Sequence, residues 1–346
     1  MSESRSITDA ADNPATPLSQ PAILPLRPTV VDFEHSQDPS HELHNALLEN
    51  GFVAVRNCGI SAEQLAAVFH SAHLFFAQGA ATKDLARYRD TQKNFGYQPM
   101  HSEALDPAEA ADSKESFTMR NVISAANPPG APDGFGATAN AMFAACSASA
   151  MHIITLLETA LGAPQGSITA NHTGENMTLR YLHYPVVATD AKLSTAEDCT
   201  DDYKSVQKNQ KKCELGAGAH TDYGTITLLF SDGVAGLQLR DSAGDWRDVD
   251  VAAGDVLVNT GDLMSVWSNG LYPSTLHRVQ PRVSQPARFS LAFFVDPDSA
   301  TRVSPLPCCV TEARPATTTG VVAGEHIQKR IEASQRTPKD SKDSKD

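Results

Sequence analysis

Residues 220–230 read HTDYGTITLLF, and the interpretation of the rest of the sequence starts from this stretch. It opens with a histidine and an aspartate one residue apart and continues in β-branched and apolar residues, which predicts a strand. On an extended backbone residues i and i+2 point to the same face, so His220 and Asp222 are predicted to lie together. The two side chains can bind one metal ion, but a His-x-Asp pair is common by chance and a site needs a third ligand.

The third ligand is predicted to come from another strand, at His277 in the run STLHRV of residues 274–279. Two imidazoles and one carboxylate on one face of a metal ion leave three coordination positions open, as in non-haem iron(II) oxygenases. There a cosubstrate occupies two of the open positions and O₂ takes the last. His220, Asp222 and His277 are therefore the predicted metal ligands and catalytic residues.

A predicted anion-binding pair follows His277, in Arg288-Phe289-Ser290. Residues 288 and 290 again share one face of a strand, so a guanidinium and a hydroxyl can enter the cavity that holds the metal. Arg forms two parallel hydrogen bonds with a carboxylate and keeps its charge, which suits the distal carboxylate of 2-oxoglutarate.

These motifs resemble the isopenicillin N synthase-like branch of the 2-oxoglutarate/Fe(II)-dependent dioxygenase superfamily. The resemblance runs from about Pro28 to Arg330, and further matching segments are residues 51–53 (GFV), 179–185 (LRYLHYP), 236–239 (GLQL), 254–255 (GD) and 259–262 (NTGD). It implies an α+β fold with a double-stranded β-helix (jelly-roll) core wrapped by N-terminal helices. It also implies Fe(II), 2-oxoglutarate as cosubstrate and O₂, with Tyr184 beside Arg288 and Ser290 at the 2-oxoglutarate carboxylate.

Residue patterns divide the chain into four parts. Residues 1–22 and 331–346 are polar or charged and are predicted to be disordered tails. Residues 23–165 carry helical apolar stripes and short strands, predicted to pack on the core. In residues 166–330 the apolar period becomes two, with turn residues between short strands, which predicts the jelly-roll. Within that core, the polar residues 187–215 are predicted to form an excursion from the barrel.

Composition narrows the class of protein. A net charge of −13 argues against a nucleic-acid partner, because phosphate binding needs clustered Lys and Arg. No run of 18 apolar residues and no apolar N-terminal segment is present, which predicts neither a membrane span nor a secretory signal. Six cysteines are too few for a disulfide framework, so a reducing, cytoplasmic location is expected. Oligomeric state is left open.

The resemblance implies oxidation of a small-molecule substrate, by default hydroxylation, with release of succinate and CO₂. Phe294 shares a strand face with Arg288 and Ser290 and is a candidate substrate contact, with plain core packing as the alternative. Arg180 and Tyr223 flank matched segments and are further candidates for substrate contacts. The alternatives are a structural salt bridge for Arg180 and an outward-facing ring for Tyr223. The sequence resembles fungal and bacterial members, including thymine hydroxylase-like enzymes; a nucleobase and a secondary metabolite both remain open as substrates.

Three other functions compete with this interpretation. An oxidase of the isopenicillin N synthase type would use Arg288 and Ser290 for the carboxylate of its own substrate, without 2-oxoglutarate. A catalytically silent binding protein would keep the fold. Such a protein would not need the three metal ligands or the Arg-x-Ser pair, and all of these are intact in this sequence. A zinc hydrolase can also use two histidines and a carboxylate, but it has no role for the Arg-x-Ser pair.

Overall fold

The computed structural model describes residues 24–106, 108–121, 126–186, 215–282 and 285–335. The N-terminal tail, the excursion up to residue 214 and the C-terminal tail from residue 336 lie outside the described residues. The N-terminal elements, in chain order, are β1 (Val30–Asp32), α1 (Pro39–Asn50), β2 (Phe52–Arg56), α2 (Ala62–Phe76), α3 (Ala80–Lys83), β3 (Phe95–Gln98), β4 (Glu115–Arg120) and α4 (Phe135–Leu161).

The C-terminal elements supply most of the strands. They are β5 (Thr178–Tyr184), β6 (Ala217–His220), β7 (Ile226–Ser231), β8 (Leu237–Arg240), β9 (Trp246–Asp248), β10 (Val256–Thr260), α5 (Asp262–Trp267), β11 (His277–Val279), β12 (Arg288–Val295), β13 (Arg302–Val303), β14 (Val321–Val322) and α6 (Ala323–Ser334). An eight-stranded sheet has the order β1-β2-β10-β7-β12-β5-β4-β3, and a four-stranded sheet has the order β6-β11-β8-β9. The α+β jelly-roll prediction is confirmed.

Local signals explain where the early helices begin and end. Asp38 caps α1 by accepting a hydrogen bond from the His41 amide, and Gly51 ends it in the left-handed conformation at φ 72°. Ser61 and Gln64 form the reciprocal capping box that the sequence predicts at the start of α2. Both helices therefore follow from short-range sequence signals.

Strand β12 separates the helical layer from the cavity. Phe293 on its outer face is fully buried and meets Phe143 of α4 edge to face, with ring centroids 5.2 Å apart. Helix α4 is the one described helix long and apolar enough to cross a membrane, but its apolar residues pack against α1, α2 and β12. The residues of β12 on the opposite face point between the two sheets.

The structure differs from the sequence-based expectation in three places. The predicted strand over residues 220–230 is two strands, and Asp222 lies in the segment between β6 and β7. Strands β3 and β4 were not predicted, because buried polar residues on them remove a clear alternation: Glu115 forms an ion pair with Lys83, and Ser116 and Thr118 donate to Gln98. The predicted tail boundary at residue 331 falls inside α6, which continues to Ser334.

Gly51 lies where the end of α1 touches the segment leading to His277. A Cβ at Gly51 would come 2.2 Å from the Pro273 carbonyl oxygen, whereas one at Gly59 meets nothing within 4 Å. Both glycines have positive φ, so the backbone cost of an Ala substitution is similar. We expect Gly51→Ala to lower the free energy of unfolding by about 1–3 kcal/mol more than Gly59→Ala, in urea denaturation monitored by circular dichroism. Equal losses would contradict the predicted contact.

Candidate active site

One large cavity, about 1120 Å³ including its open mouth, lies between the two sheets and is closed on one side by α6. All nine residues that the sequence predicts as site residues line it: Arg180, Tyr184, His220, Asp222, Tyr223, His277, Arg288, Ser290 and Phe294. Tyr223 and Phe294 both reach the cavity, and each also packs against buried apolar residues of the core.

Strand pairing brings the three predicted metal ligands together. In the antiparallel pair of β6 and β11, His220 lies directly opposite His277, and their ring centroids are 4.3 Å apart. The Asp222 Oδ1 atom is 4.0 Å from Nε2 of His220 and 3.7 Å from Nε2 of His277. A ligand atom from each residue lies within 4.8 Å of the other two, so the three can bind one metal ion.

Hydrogen bonds orient each of the three predicted ligands toward the position that a metal ion would occupy between them. Nδ1 of His220 donates to the Gly218 carbonyl at 2.7 Å, and Nδ1 of His277 donates to the Thr275 carbonyl at 3.1 Å. A carbonyl can only accept, so each Nδ1 carries the proton and each Nε2 keeps a lone pair for a metal. Asn259 donates to Oδ2 of Asp222 at 2.7 Å, which leaves Oδ1 for coordination.

The protonation states also suit a metal. Burial, with the neighbouring His277, holds the pKa of His220 well below its usual range, so the imidazole is neutral. Burial acts to raise the pKa of Asp222, but the two imidazoles and the hydrogen bond from Asn259 outweigh it and keep that pKa low. A neutral imidazole and an ionised carboxylate are the forms that bind metals.

Arg288 lies on β12 with its charge held in place inside the cavity. Its Nε donates to the Val234 carbonyl at 3.1 Å and its Nη1 donates to Ser290 Oγ at 3.1 Å. The guanidinium carbon lies 5.1 Å from the centre of the Tyr184 ring, a cation–π contact. Guanidinium has five N–H donors, so further donors remain for a carboxylate.

Arg180 both lines the cavity and forms the salt bridge that the sequence leaves as an alternative. Its Nη2 forms an ion pair with Glu103 and donates to Gln98 Oε1 at 3.0 Å and to Ser116 Oγ at 2.8 Å. Lys114 lies 3.5 Å from the same Glu103 carboxylate. Glu103 and Lys114 belong to segments without a clear sequence pattern, so their place in the cavity wall could not be predicted.

Helix α6 closes the cavity near the metal ligands. Arg330 donates through Nη2 to the Thr221 carbonyl at 3.2 Å and to its hydroxyl at 3.1 Å. The same guanidinium lies 4.5 Å from the Tyr223 ring centre and 3.1 Å from a carboxylate oxygen of Asp262. Because Thr221 separates two of the ligands, α6 fixes the ligand-bearing segment from outside the sheet.

Two family models match the chain. The model of the 2OG-Fe(II) oxygenase superfamily matches residues 174–297, and the model of the N-terminal region of non-haem dioxygenases in morphine synthesis matches residues 25–134. The chain belongs to the 2OG-Fe(II) oxygenase superfamily. The N-terminal match links it to the isopenicillin N synthase-like branch, as the sequence resemblance implied.

Similar proteins agree with this membership along most of the chain. A 2-oxoglutarate-Fe(II) type oxidoreductase of Metarhizium rileyi is 28% identical, over 84% of this chain and 84% of the relative. A homoarginine-6-hydroxylase of Glycine max is 28% identical, over 89% of this chain and 94% of the relative. The crystal structure of a full-length Neurospora crassa protein in complex with alpha-KG and thymine has a TM-score of 0.73 and 25% identity, and the match covers 91% of this chain and 98% of that one.

This superfamily member is a 2-oxoglutarate-dependent non-haem iron dioxygenase. It uses Fe(II), 2-oxoglutarate and O₂ to oxidise a small-molecule substrate, with release of succinate and CO₂. The sequence-based predictions of family, reaction class and cofactors are confirmed.

Asn259 controls the orientation of the Asp222 carboxylate and can be tested separately from the ligands. We expect Asn259→Ala to weaken binding of Fe(II) by about ten- to hundredfold, because Asp222 loses the bond that fixes its Oδ2. Anaerobic titration of the apoprotein measures the affinity. Asn176→Ala is the control, since Asn176 is another buried amide but bonds the Pro297 carbonyl at 2.9 Å. Equal effects of the two variants would contradict the prediction.

Proposed function

We propose that His220, Asp222 and His277 hold Fe(II) and that Arg288 and Ser290 bind the distal carboxylate of 2-oxoglutarate. The observation that carries the proposal is that both sets face one cavity with their polar atoms already oriented by hydrogen bonds. When bound, Fe(II) and 2-oxoglutarate activate O₂ and so provide the oxidant for the substrate.

The residues of this chain contribute binding, orientation and exclusion of water. Ser290 and the Val234 carbonyl fix the Arg288 guanidinium, so it needs little rearrangement to receive a carboxylate. Tyr184 supports the guanidinium through its ring, and we propose that its hydroxyl is a further contact for the cosubstrate. Asp222, His277, Arg288 and Ser290 are all buried, which keeps bulk water away from the reaction.

We propose Arg180, Tyr223 and Phe294 as the substrate-binding residues. Each lines the cavity, and burial raises the pKa of Tyr223 to about 12, so its phenol stays neutral. The two aromatic rings suit a planar substrate group that contains nitrogen. Thymine, bound in the Neurospora crassa structure, and homoarginine, the substrate named for the soybean relative, both carry such a group.

We also propose that residues 23–165 pack on the jelly-roll of residues 166–330 as one unit, and that the protein acts in the cytoplasm. Contacts of α1 and α2 with α4, and of α2 and α4 with β12, support the single unit. The absence of a disulfide framework supports the location.

The first experiment is an anaerobic titration of the apoprotein with Fe(II) and 2-oxoglutarate, following the weak visible charge-transfer absorption of the chelate. We expect no absorption in His220→Ala, which lacks a metal ligand. In Arg288→Ala we expect the 2-oxoglutarate concentration for half-saturation to rise roughly thirtyfold or more, because a buried ion pair is lost.

Arg282→Ala is the control for loss of a guanidinium close to the cavity rim, since Arg282 is half-exposed and forms an ion pair with Asp248. Its titration should match the unsubstituted protein. If iron binds but 2-oxoglutarate gives no absorption, the assignment of Arg288 and Ser290 to 2-oxoglutarate fails. Oxygen consumption that does not depend on 2-oxoglutarate would favour the oxidase reaction. Retained iron binding in His220→Ala would refute the metal site.

A further inference from the structure

Asp296 is a cavity residue with no role so far. It follows the last residue of β12, on the same face as Arg288 and Phe294, and its side chain is only 7% exposed. Among the residues that the structure describes, none forms a hydrogen bond or an ion pair with its carboxylate; only electrostatic effects at longer range act on it. A buried carboxylate without a partner is rare, because its desolvation is not compensated.

Asp296 differs from the other charged residues that line the cavity. Arg180 is paired with Glu103, and Lys114 with Asp112. In the proposed function, the remaining charged residues that line the cavity serve the cofactors: Asp222 the metal and Arg288 the cosubstrate. Fe(II), the Asp222 carboxylate, the Arg288 guanidinium and the two carboxylates of 2-oxoglutarate together sum to no net charge. Among the described residues that line the cavity, Asp296 is therefore the one acidic residue with neither an ion-pair partner nor a cofactor to bind; Arg120, outside this lining, attracts it only at longer range.

The surroundings of Asp296 suit a flat cation. A Cβ at Gly224 would lie 2.0 Å from Asp296 Oδ1, so only glycine at position 224 leaves room for this carboxylate. Phe294 lies one step back on the same face of β12, and Tyr223 precedes Gly224. A guanidinium is planar, offers paired N–H donors to a carboxylate and stacks on aromatic faces.

We propose that Asp296 is a specificity-determining residue that binds a guanidinium or amidinium group of the substrate. This proposal rests on the proposed function, because it takes Arg288 to be occupied by 2-oxoglutarate. Arg180 lies opposite Ala292, which is four residues before Asp296 in the chain. Roughly 13 Å of strand therefore separates Arg180 from Asp296. The substrate therefore has its cation at the Asp296 end and meets Arg180 with a neutral or anionic part.

Nearby charges do not supply a partner for Asp296. Arg120 of β4, Asp222 after β6 and His326 of α6 are the charged or titratable groups that act on it. Nη1 of Arg120 donates to the Gln92 carbonyl at 3.1 Å. Burial, with the negative charge of Asp222, raises the pKa of Asp296 to about 7.

The test compares two probes of the same shape, n-butylguanidinium and the uncharged n-butylurea. Calorimetry is carried out anaerobically on the full chain loaded with Fe(II) and 2-oxoglutarate. We expect the cation to bind at least about tenfold more tightly than the urea, as for one charged hydrogen-bonded pair. In Asp296→Asn the ratio should fall to about one. Asp298→Asn is the matched control, because Asp298 binds Thr173 at the surface; it should keep the ratio.

Thermal unfolding without the probe gives a second measurement. Because the Asp296 pKa is raised in the folded state, its ionisation destabilises the fold progressively as pH rises from about 4 to 7. Asp296→Asn removes this effect, so its Tm should exceed that of the unsubstituted protein above pH 7 and match it near pH 4. A lower Tm above pH 7 would mean that Asp296 is paired, for instance with Arg120, and would overturn the proposal.

The outcomes distinguish a failure of the Asp296 subsite from a failure of the proposed function. Equal binding of both probes, no measurable binding of n-butylguanidinium in the millimolar range, or a ratio that survives in Asp296→Asn would overturn the Asp296 subsite. The Fe(II)–2-oxoglutarate absorption is recorded in the same samples. If it is absent, the proposed function fails; if it is present without a preference for the cation, only the subsite fails.

Discussion

The antiparallel pairing of β6 with β11 is the constraint on which the proposed metal site depends. It places His220 and His277 opposite each other, although they are far apart in sequence, and their backbone-anchored rings have little freedom left. Asp222 lies beyond the end of β6, and an amide from β10 in the other sheet orients it. The site therefore joins the two sheets, and its geometry is as rigid as their packing.

The two-residue alternation of β12 is the second constraint. Phe289, Leu291 and Phe293 are buried toward the helices, so Arg288 and Ser290 must face the cavity. A shift of one residue in the register would exchange the two faces and place a guanidinium among aromatic rings. The helices on the outside are thus part of the reason why the polar residues of this strand point inward.

One part of the cavity wall is built of charges that compensate each other. Arg180 comes from β5, and Glu103, Asp112 and Lys114 come from the segment between β3 and β4. Burying such charges is costly unless each has a partner, and here each belongs to an ion pair. Asp112 also accepts the Gly218 amide at 2.9 Å, which ties this network to the strand that carries His220. Because the other charges of this wall are paired, we infer that the unpaired Asp296 carboxylate binds a ligand.

The sequence by itself was enough to predict the site residues that short-range patterns can reveal. The His-x-Asp pair, the later histidine and Arg-x-Ser carry their chemistry in residue type and spacing, and the capped helices follow from local signals. The sequence did not reveal β3, β4, Glu103, Lys114 or α6 as parts of the cavity, because their positions depend on partners far away in the chain. It also placed Asp222 on a strand, although a side-chain contact with Asn259 in the other sheet orients it. Only the tertiary structure decided which buried charges are paired and which is not, because pairing depends on distances between segments and these are set by packing.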